Sequence, residues 1–204
     1  MKYIIYKIVV FIGKPLFKIV FRPTVIGAPN IPQNGPTIIA SNHKSQLDAG
    51  SMLYTPKRIM HVLAKKELFK TKIGSIFFRS MGAIPVDRSV KDENAKSSAL
   101  DILKKGNVIG IFPEGTTNKT IGTKDEVDLL PFKFGAVSFA LKSQAKIVPM
   151  AICGEYKIFK KTLLIIYGEP YEVKGDLVQE NRILESKIRK LKKKGDEIIE
   201  KRRN

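Results

Sequence analysis

The side chains best placed to do chemistry in this 204-residue chain are His43 and Asp48. They sit five residues apart in Ser41-Asn42-His43-Lys44-Ser45-Gln46-Leu47-Asp48, and His43 is one of two histidines in the chain. A carboxylate folded back onto an imidazole fixes its tautomer and stabilises the imidazolium, which makes the ring a general base for a hydroxyl. The same residues admit a plainer reading. Ser45-x-x-Asp48 fits a capping box, with Ser45 capping a helix and Asp48 reaching back to a free backbone N–H. The two readings are compatible, because one carboxylate oxygen can cap while the other faces His43.

The elements that must position this pair flank it. Residues 36–40, Pro-Thr-Ile-Ile-Ala, are short, apolar and β-branched, and read as a buried strand after the turn at Asn34-Gly35. Residues 49–54 read as one or two helical turns stopped before Pro56. A polar turn between such a strand and helix is where open α/β sheets place their ligands. Further strands are predicted over 24–27, 58–64, 82–88, 107–112, 147–153 and 162–167, and helices over 65–69, 73–81, 91–105, 132–143 and 176–204. That alternation predicts one α/β domain with a mixed, largely parallel central sheet flanked by helices. Two more polar turns follow buried strands, Asp87-Arg88 and Pro113-Glu114-Gly115-Thr116-Thr117. Converging at one sheet edge, the three turns bring together an imidazole, two carboxylates and a guanidinium. Residues 118–130 are polar and read as a loop over that site, while His61 lies in an apolar strand and reads as a packed residue.

Composition narrows the partners. The chain carries 37 Lys+Arg against 19 Asp+Glu, a net charge of +18, which calls for an anionic surface, substrate or partner. There is no Trp, and the Phe residues sit in apolar runs rather than among the cations, which argues against stacking on nucleic-acid bases. The single cysteine, Cys153, rules out an internal disulfide framework, fits a reducing compartment, and is a poor acyl carrier in its apolar strand. No cluster of metal ligands is present, no cofactor is expected, and no G-x-S-x-G nucleophile elbow occurs.

Residues 1–22 form the most densely apolar segment, interrupted by lysines and without a small-residue cleavage site after it. As a bilayer span it comes out near zero: a dozen Leu/Ile/Val/Phe contribute roughly −4 to −7 kcal/mol, and Lys7 and Lys14 cost about 3 kcal/mol each if central. At 100° per residue Lys7, Lys14, Lys18 and Arg22 fall on one face, so an in-plane amphipathic helix can bury its other faces in lipid while those cations meet phosphates. Pro15 is expected to kink this helix or split it in two. A helix packed on the protein's own core is the structural alternative. The expected organisation is an interfacial membrane segment over 1–22, a catalytic domain over 23–175, and a basic helix over 176–204 whose Lys/Arg cluster faces solvent. The expected location is peripheral, on the cytoplasmic face of the cell membrane.

Four blocks carry a family resemblance: Asn42-His43-x4-Asp48, Gly82-Ala83-Ile84-Pro85-Val86-Asp87-Arg88, Phe112-Pro113-Glu114-Gly115-Thr116 and Val148-Pro149-Met150-Ala151-Ile152. Their types and order over roughly residues 36–153 resemble those of the lysophosphatidic acid acyltransferases of the PlsC type, the 1-acylglycerol-3-phosphate acyltransferases. The resemblance implies the glycerolipid acyltransferase fold and an acyl transfer from acyl-CoA or acyl carrier protein to a lysophospholipid hydroxyl. It implies His43 as the general base and Asp48 as its partner, without a covalent acyl-enzyme. Asn42, Lys66, Arg88, Glu114, Gly115 and Thr116 become substrate-binding candidates, with Arg88 gripping the acceptor phosphate. Backbone N–H groups after His43 are candidates for the oxyanion. One departure stands out: Thr117 occupies a position where many members carry Arg, which leaves a different lysolipid acceptor open. A non-catalytic basic module that binds membrane or nucleic acid is the alternative of another class.

Overall fold

The structure is a computed structural model that describes residues 3–87, 89–90 and 92–203. Its frame is a seven-stranded sheet built from β1 (Thr24–Ile26), β2 (Thr37–Ser41), β3 (Met60–Lys65), β4 (Ile84–Val86), β5 (Val108–Ile111), β6 (Lys146–Gly154) and β7 (Leu163–Tyr167). The strand order is β1-β7-β6-β2-β5-β3-β4. All neighbours run parallel except β6 and β7, so the sheet is mixed and largely parallel, as expected. β2, β4, β5 and β6 therefore share a direction, and the turns that leave their C-terminal ends lie along one edge. The central strands are buried on both faces, which is why they read as continuous apolar runs rather than alternating ones.

Alternation along those strands still decides which layer each residue meets. Ile38, Ala40, Ile109, Ile111 and Ile147 pack against α4 (Glu93–Lys104), α5 (Gly135–Ser143) and α6 (Leu177–Arg203). Ile39, Val108, Val148, Met150 and Ile152 face the other way, onto Met52 of α2 (Asp48–Tyr54) and Phe17 and Phe21 of α1 (Ile4–Phe21). The result is a three-layer α/β/α sandwich. α4 shows how local sequence sets an element. Asp92 caps its first turn by accepting from Ala95 N at 2.9 Å, Ala95, Ala99 and Leu103 recur on one buried stripe, and Gly106 with φ 72° supplies the left-handed exit.

α1 differs from the helical-wheel expectation in where its cations lie. Of the two outcomes expected at Pro15, it does not split, running as one helix through that residue. Pro15 and Phe11 both lie on its outward side, so the carbonyl that Pro15 leaves without a donor faces out of the protein. The helix also packs on the body. Val9, Val10, Gly13 and Phe17 line a crevice against Gly50, Leu53 and Tyr54, and the Tyr6 hydroxyl accepts from Met60 N at 3.1 Å in the core. Lys14 is drawn to that inner side, where its Nζ donates to Pro56 O at 2.6 Å and burial lowers its pKa. The four cations therefore do not form one outward face. What faces outward is apolar: Ile4, Ile8, Phe11, Ile12, Leu16 and Ile19, with Lys7, Lys18 and Arg22 alongside. No helix among the described residues is long and apolar enough to cross a membrane. The short α3 (Lys72–Ser80) packs against α1 and also leaves Ile73, Ile76 and Phe77 exposed.

α6 lies along β6 and β7 with Leu184, Ile188, Leu191 and Ile199 inward, whereas Leu177 and Ile183 are exposed. Gly195 permits the closest approach, since a Cβ there would stand 2.3 Å from Cys153 Sγ. Its cations do not all face solvent. Lys192 is mostly buried and bridges Asp128 and Asp196, while Arg189 holds the other oxygen of Asp128 at 2.9 Å. The helix thus tethers the loop between β5 and α5.

Candidate active site

His43 and Asp48 meet as their spacing predicts. Asp48 is fully buried at the first position of α2, and its Oδ2 lies 2.9 Å from His43 Nδ1. The same oxygen accepts from Lys44 N at 2.6 Å and Ser45 N at 2.7 Å. The reach-back half of a capping box is therefore present. The other half is not: Ser45 Oγ accepts from Leu47 N at 3.2 Å, so the serine closes its own small turn. The imidazole stacks on Phe112 at 4.1 Å between ring centroids, and its Nε2 lies 3.2 Å from Thr117 Oγ1. Hydroxyl, imidazole and carboxylate stand in the order of a hydrolase triad.

Two expected substrate contacts, Asn42 and Glu114, have internal hydrogen-bond partners. The Asn42 side chain is buried and bonds both backbone groups of Ile152, donating to its O at 3.0 Å and accepting from its N at 2.8 Å. It stitches the end of β2 to β6. Glu114 is also buried. Its Oε1 accepts from His43 N at 2.7 Å and its Oε2 from Leu130 N at 2.9 Å, so it holds the β2 turn and the 118–134 loop together. Several backbone N–H groups around His43, candidates for the oxyanion, are engaged as well. Those of residues 43, 44, 45, 47 and 48 all have intramolecular acceptors.

Three contributors lie beyond the sequence expectation. Tyr156, in the turn after β6, donates its hydroxyl hydrogen to Asp48 Oδ1 at 2.7 Å and shares a 2.7 Å bond with Ser51 of α2. Burial, then the neighbouring Asp48 charge, raise its pKa, so it stays a protonated donor. Lys44 turns inward, donating to Gly154 O near the Tyr156 ring, and burial lowers its pKa. No local spacing announces these residues. The one available signal was that Glu155-Tyr156 follows a fourth buried strand ending at the same sheet edge. Cys153 has its thiol pushed up to about 12 by burial, so it is held as an inert thiol.

Phe112 connects the dyad to a cavity of about 370 Å³ between the sheet end, α4 and α5. Leu63, Val86, Ile111, Phe112, Ala136 and Phe139 make it apolar, with Asp87, Asp92, Lys96 and Lys133 among its polar lining. Its volume lies in the range of small-molecule pockets, about 300–1,000 Å³. Gly115 lines it at φ 71°, where an L side chain is strained and a Cβ would meet Lys133 at 2.8 Å. Thr116 is exposed on the same turn. Lys66 borders an adjoining cleft, and its ammonium lies 3.5 Å from Asp87 Oδ2 rather than against the dyad. Asp87 has its pKa lowered by hydrogen bonds from Ser89 and by Lys66. Arg88, the expected phosphate grip, lies outside the described residues.

The site thus couples a partly exposed histidine and its buried carboxylate partner to an apolar pocket on a largely parallel sheet. The chain belongs to the Acyltransferase family, whose sequence profile matches residues 22–153, from the end of α1 into β6. Family membership sets aside the reading as a non-catalytic basic module. Among individual relatives, a Bacillus subtilis (strain 168) protein named 1-acyl-sn-glycerol-3-phosphate acyltransferase is 31% identical over 191 residues, 85% of this chain and 90% of that protein. A Borreliella burgdorferi protein of the same name is 32% identical over 146 residues, and the match spans 71% of this chain but 56% of that one. The crystal structure of the 1-acyl-sn-glycerophosphate (LPA) acyltransferase, PlsC, from Thermotoga maritima shares the fold with a TM-score of 0.71 at 24% identity, over 91% of this chain and 77% of that one.

Proposed function

We propose that this enzyme moves a fatty acyl group from an acyl thioester, carried by coenzyme A or acyl carrier protein, to the free sn-2 hydroxyl of lysophosphatidic acid, giving phosphatidic acid. The observation that carries the reading is the His43 Nδ1–Asp48 Oδ2 contact of 2.9 Å beside the apolar cavity at Phe112. His43 Nε2 takes the proton of the acceptor hydroxyl as its oxygen attacks the thioester carbonyl. Asp48 holds the ring and stabilises the imidazolium. Collapse of the tetrahedral intermediate breaks the C–S bond, and the thiolate leaves with the proton that His43 returns. The cavity suits the acyl chain, being lined mainly by apolar side chains. The names of the Bacillus and Borreliella relatives support the acceptor.

The outward apolar side of α1, bordered by Lys7, Lys18 and Arg22, supports peripheral association with an anionic membrane at its cytoplasmic face. A second acceptor reading rests on Thr117. A neutral side chain, not a cation, stands at Nε2, which favours a lysolipid without a phosphomonoester. One assay tests both: purified protein with a lysolipid panel, with and without the phosphate, and both donor types. His43→Ala is expected to lose nearly all turnover. Turnover that survives the substitution overturns the mechanism, and indifference to the phosphate overturns the lysophosphatidate reading while leaving acyl transfer intact.

A further inference from the structure

We propose that the turn joining β6 to β7 is a second lipid-contacting element, which inserts Ile158 and Phe159 into an anionic lipid surface beside α1. The inference rests on the membrane reading above. Turn tips are ordinarily built from Gly, Pro, Asn, Asp and Ser. Here two large apolar side chains sit at the tip, 63% and 58% exposed. Phe159 holds φ 58°, a region that bulky side chains rarely adopt. What keeps it there is a hydrogen bond from Phe159 N to Val20 O at 2.6 Å, in the last turn of α1. The turn is thereby pinned to the helix next to Ile19, where α1's own outward apolar side ends.

Charge decides the occupant. Lys157, Lys160 and Lys161 flank the pair and are exposed, Lys157 pairing with Glu155 at 2.7 Å. An apolar tip ringed by ammonium groups matches acyl chains beneath anionic headgroups. A second copy of this chain, itself at +18, is repelled by the same lysines. Two side chains also fall far short of the roughly 1,000 Å² that a stable protein interface buries.

The absence of Trp from the sequence makes a direct test available. F159W supplies a single fluorophore at the turn, and F11W supplies one on α1. On phosphatidylcholine vesicles containing phosphatidylglycerol, both emissions are expected to shift to the blue, to be quenched by lipids brominated on their acyl chains, and to recover in high salt. The double variant I158S/F159S is expected to bind these vesicles about tenfold more weakly, as loss of buried apolar surface requires, with an unchanged melting temperature. Quenching of F11W but not F159W overturns the proposal and leaves the membrane reading standing. If neither is quenched and the protein fails to sediment with the vesicles, both fall.

Discussion

Tyr156 and Asp48 lie 108 residues apart in the chain, yet phenol and carboxylate meet at 2.7 Å. The bond falls on Oδ1, leaving Oδ2 to His43 and two backbone N–H groups. The buried carboxylate is thus anchored from both sides, and its direction toward the imidazole is fixed. Tyr156→Phe keeps the ring against Phe21 and removes the anchor together with the hydroxyl's bond to Ser51. Hydrogen bonds to charged groups are worth about 1.5–3 kcal/mol, so kcat is expected to fall about tenfold or more. KM for donor and acceptor is expected to hold, since no substrate contact is lost. In an Asp48→Asn background the same substitution is expected to add little, because the partner it positions is gone. Additive losses in that cycle count against the positioning role.

Thr117 presents a hydroxyl to His43 Nε2 at 3.2 Å, where the proposed mechanism brings the acceptor hydroxyl. Direct transfer gives the threonine no covalent part, so Thr117→Val is expected to leave kcat within about threefold, whereas loss of an attacking nucleophile costs orders of magnitude. An acyl adduct on Thr117, seen by mass spectrometry after incubation with donor alone, is the contrary result.

Asn42 bears on stability rather than on turnover chemistry. Asn42→Ala leaves the N–H and C=O of Ile152 without their partners in a buried strand, at about 1–3 kcal/mol for each group. Urea unfolding is expected to show a loss of about 3 kcal/mol with little change in the m-value. A loss of activity at full stability assigns Asn42 to the substrate after all.

Glu114 carries a pH signature. Burial is the largest influence and raises its carboxyl above the ordinary value of 4.5, against the backbone N–H bonds from Leu130 and His43 that lower it. The folded protein therefore holds this proton more tightly than the unfolded chain. Its contribution to stability is full below the unfolded value and is lost as pH rises through the folded one. Glu114→Gln has no such proton, so the stability gap between wild type and variant is expected to narrow from acid toward neutral pH. Thermal melts across that range check the sign, and a widening gap refutes it.

The legible parts of this protein were the local ones. A β-branched run before Asn42 and a Pro-stopped helix after Asp48 place the dyad, because five residues spanning a strand-to-helix turn leave little freedom. Strand and helix alternation carried the fold class in the same way. Orientation was less legible. A polar turn residue reads the same in sequence whether it faces a substrate or a neighbouring backbone, so the backbone bonds of Asn42 and Glu114 emerge only in the fold. The helical wheel grouped Lys14 with the outward cations, yet its ammonium finds Pro56 O on the inner side. Tyr156 was invisible for a tertiary reason: it reaches Asp48 only once β6 has paired with β2.

The bond between the Tyr6 hydroxyl and Met60 N makes α1 something other than a tether. Peeling the helix away strands a backbone donor at the head of β3 and opens the packing of Phe17 on Tyr54. Under the proposed membrane reading, these contacts make the lipid plane on which α1 rests also set the height and tilt of His43 above it. Substrate reach under that reading is a matter of draught, as with a hull, rather than of leash length.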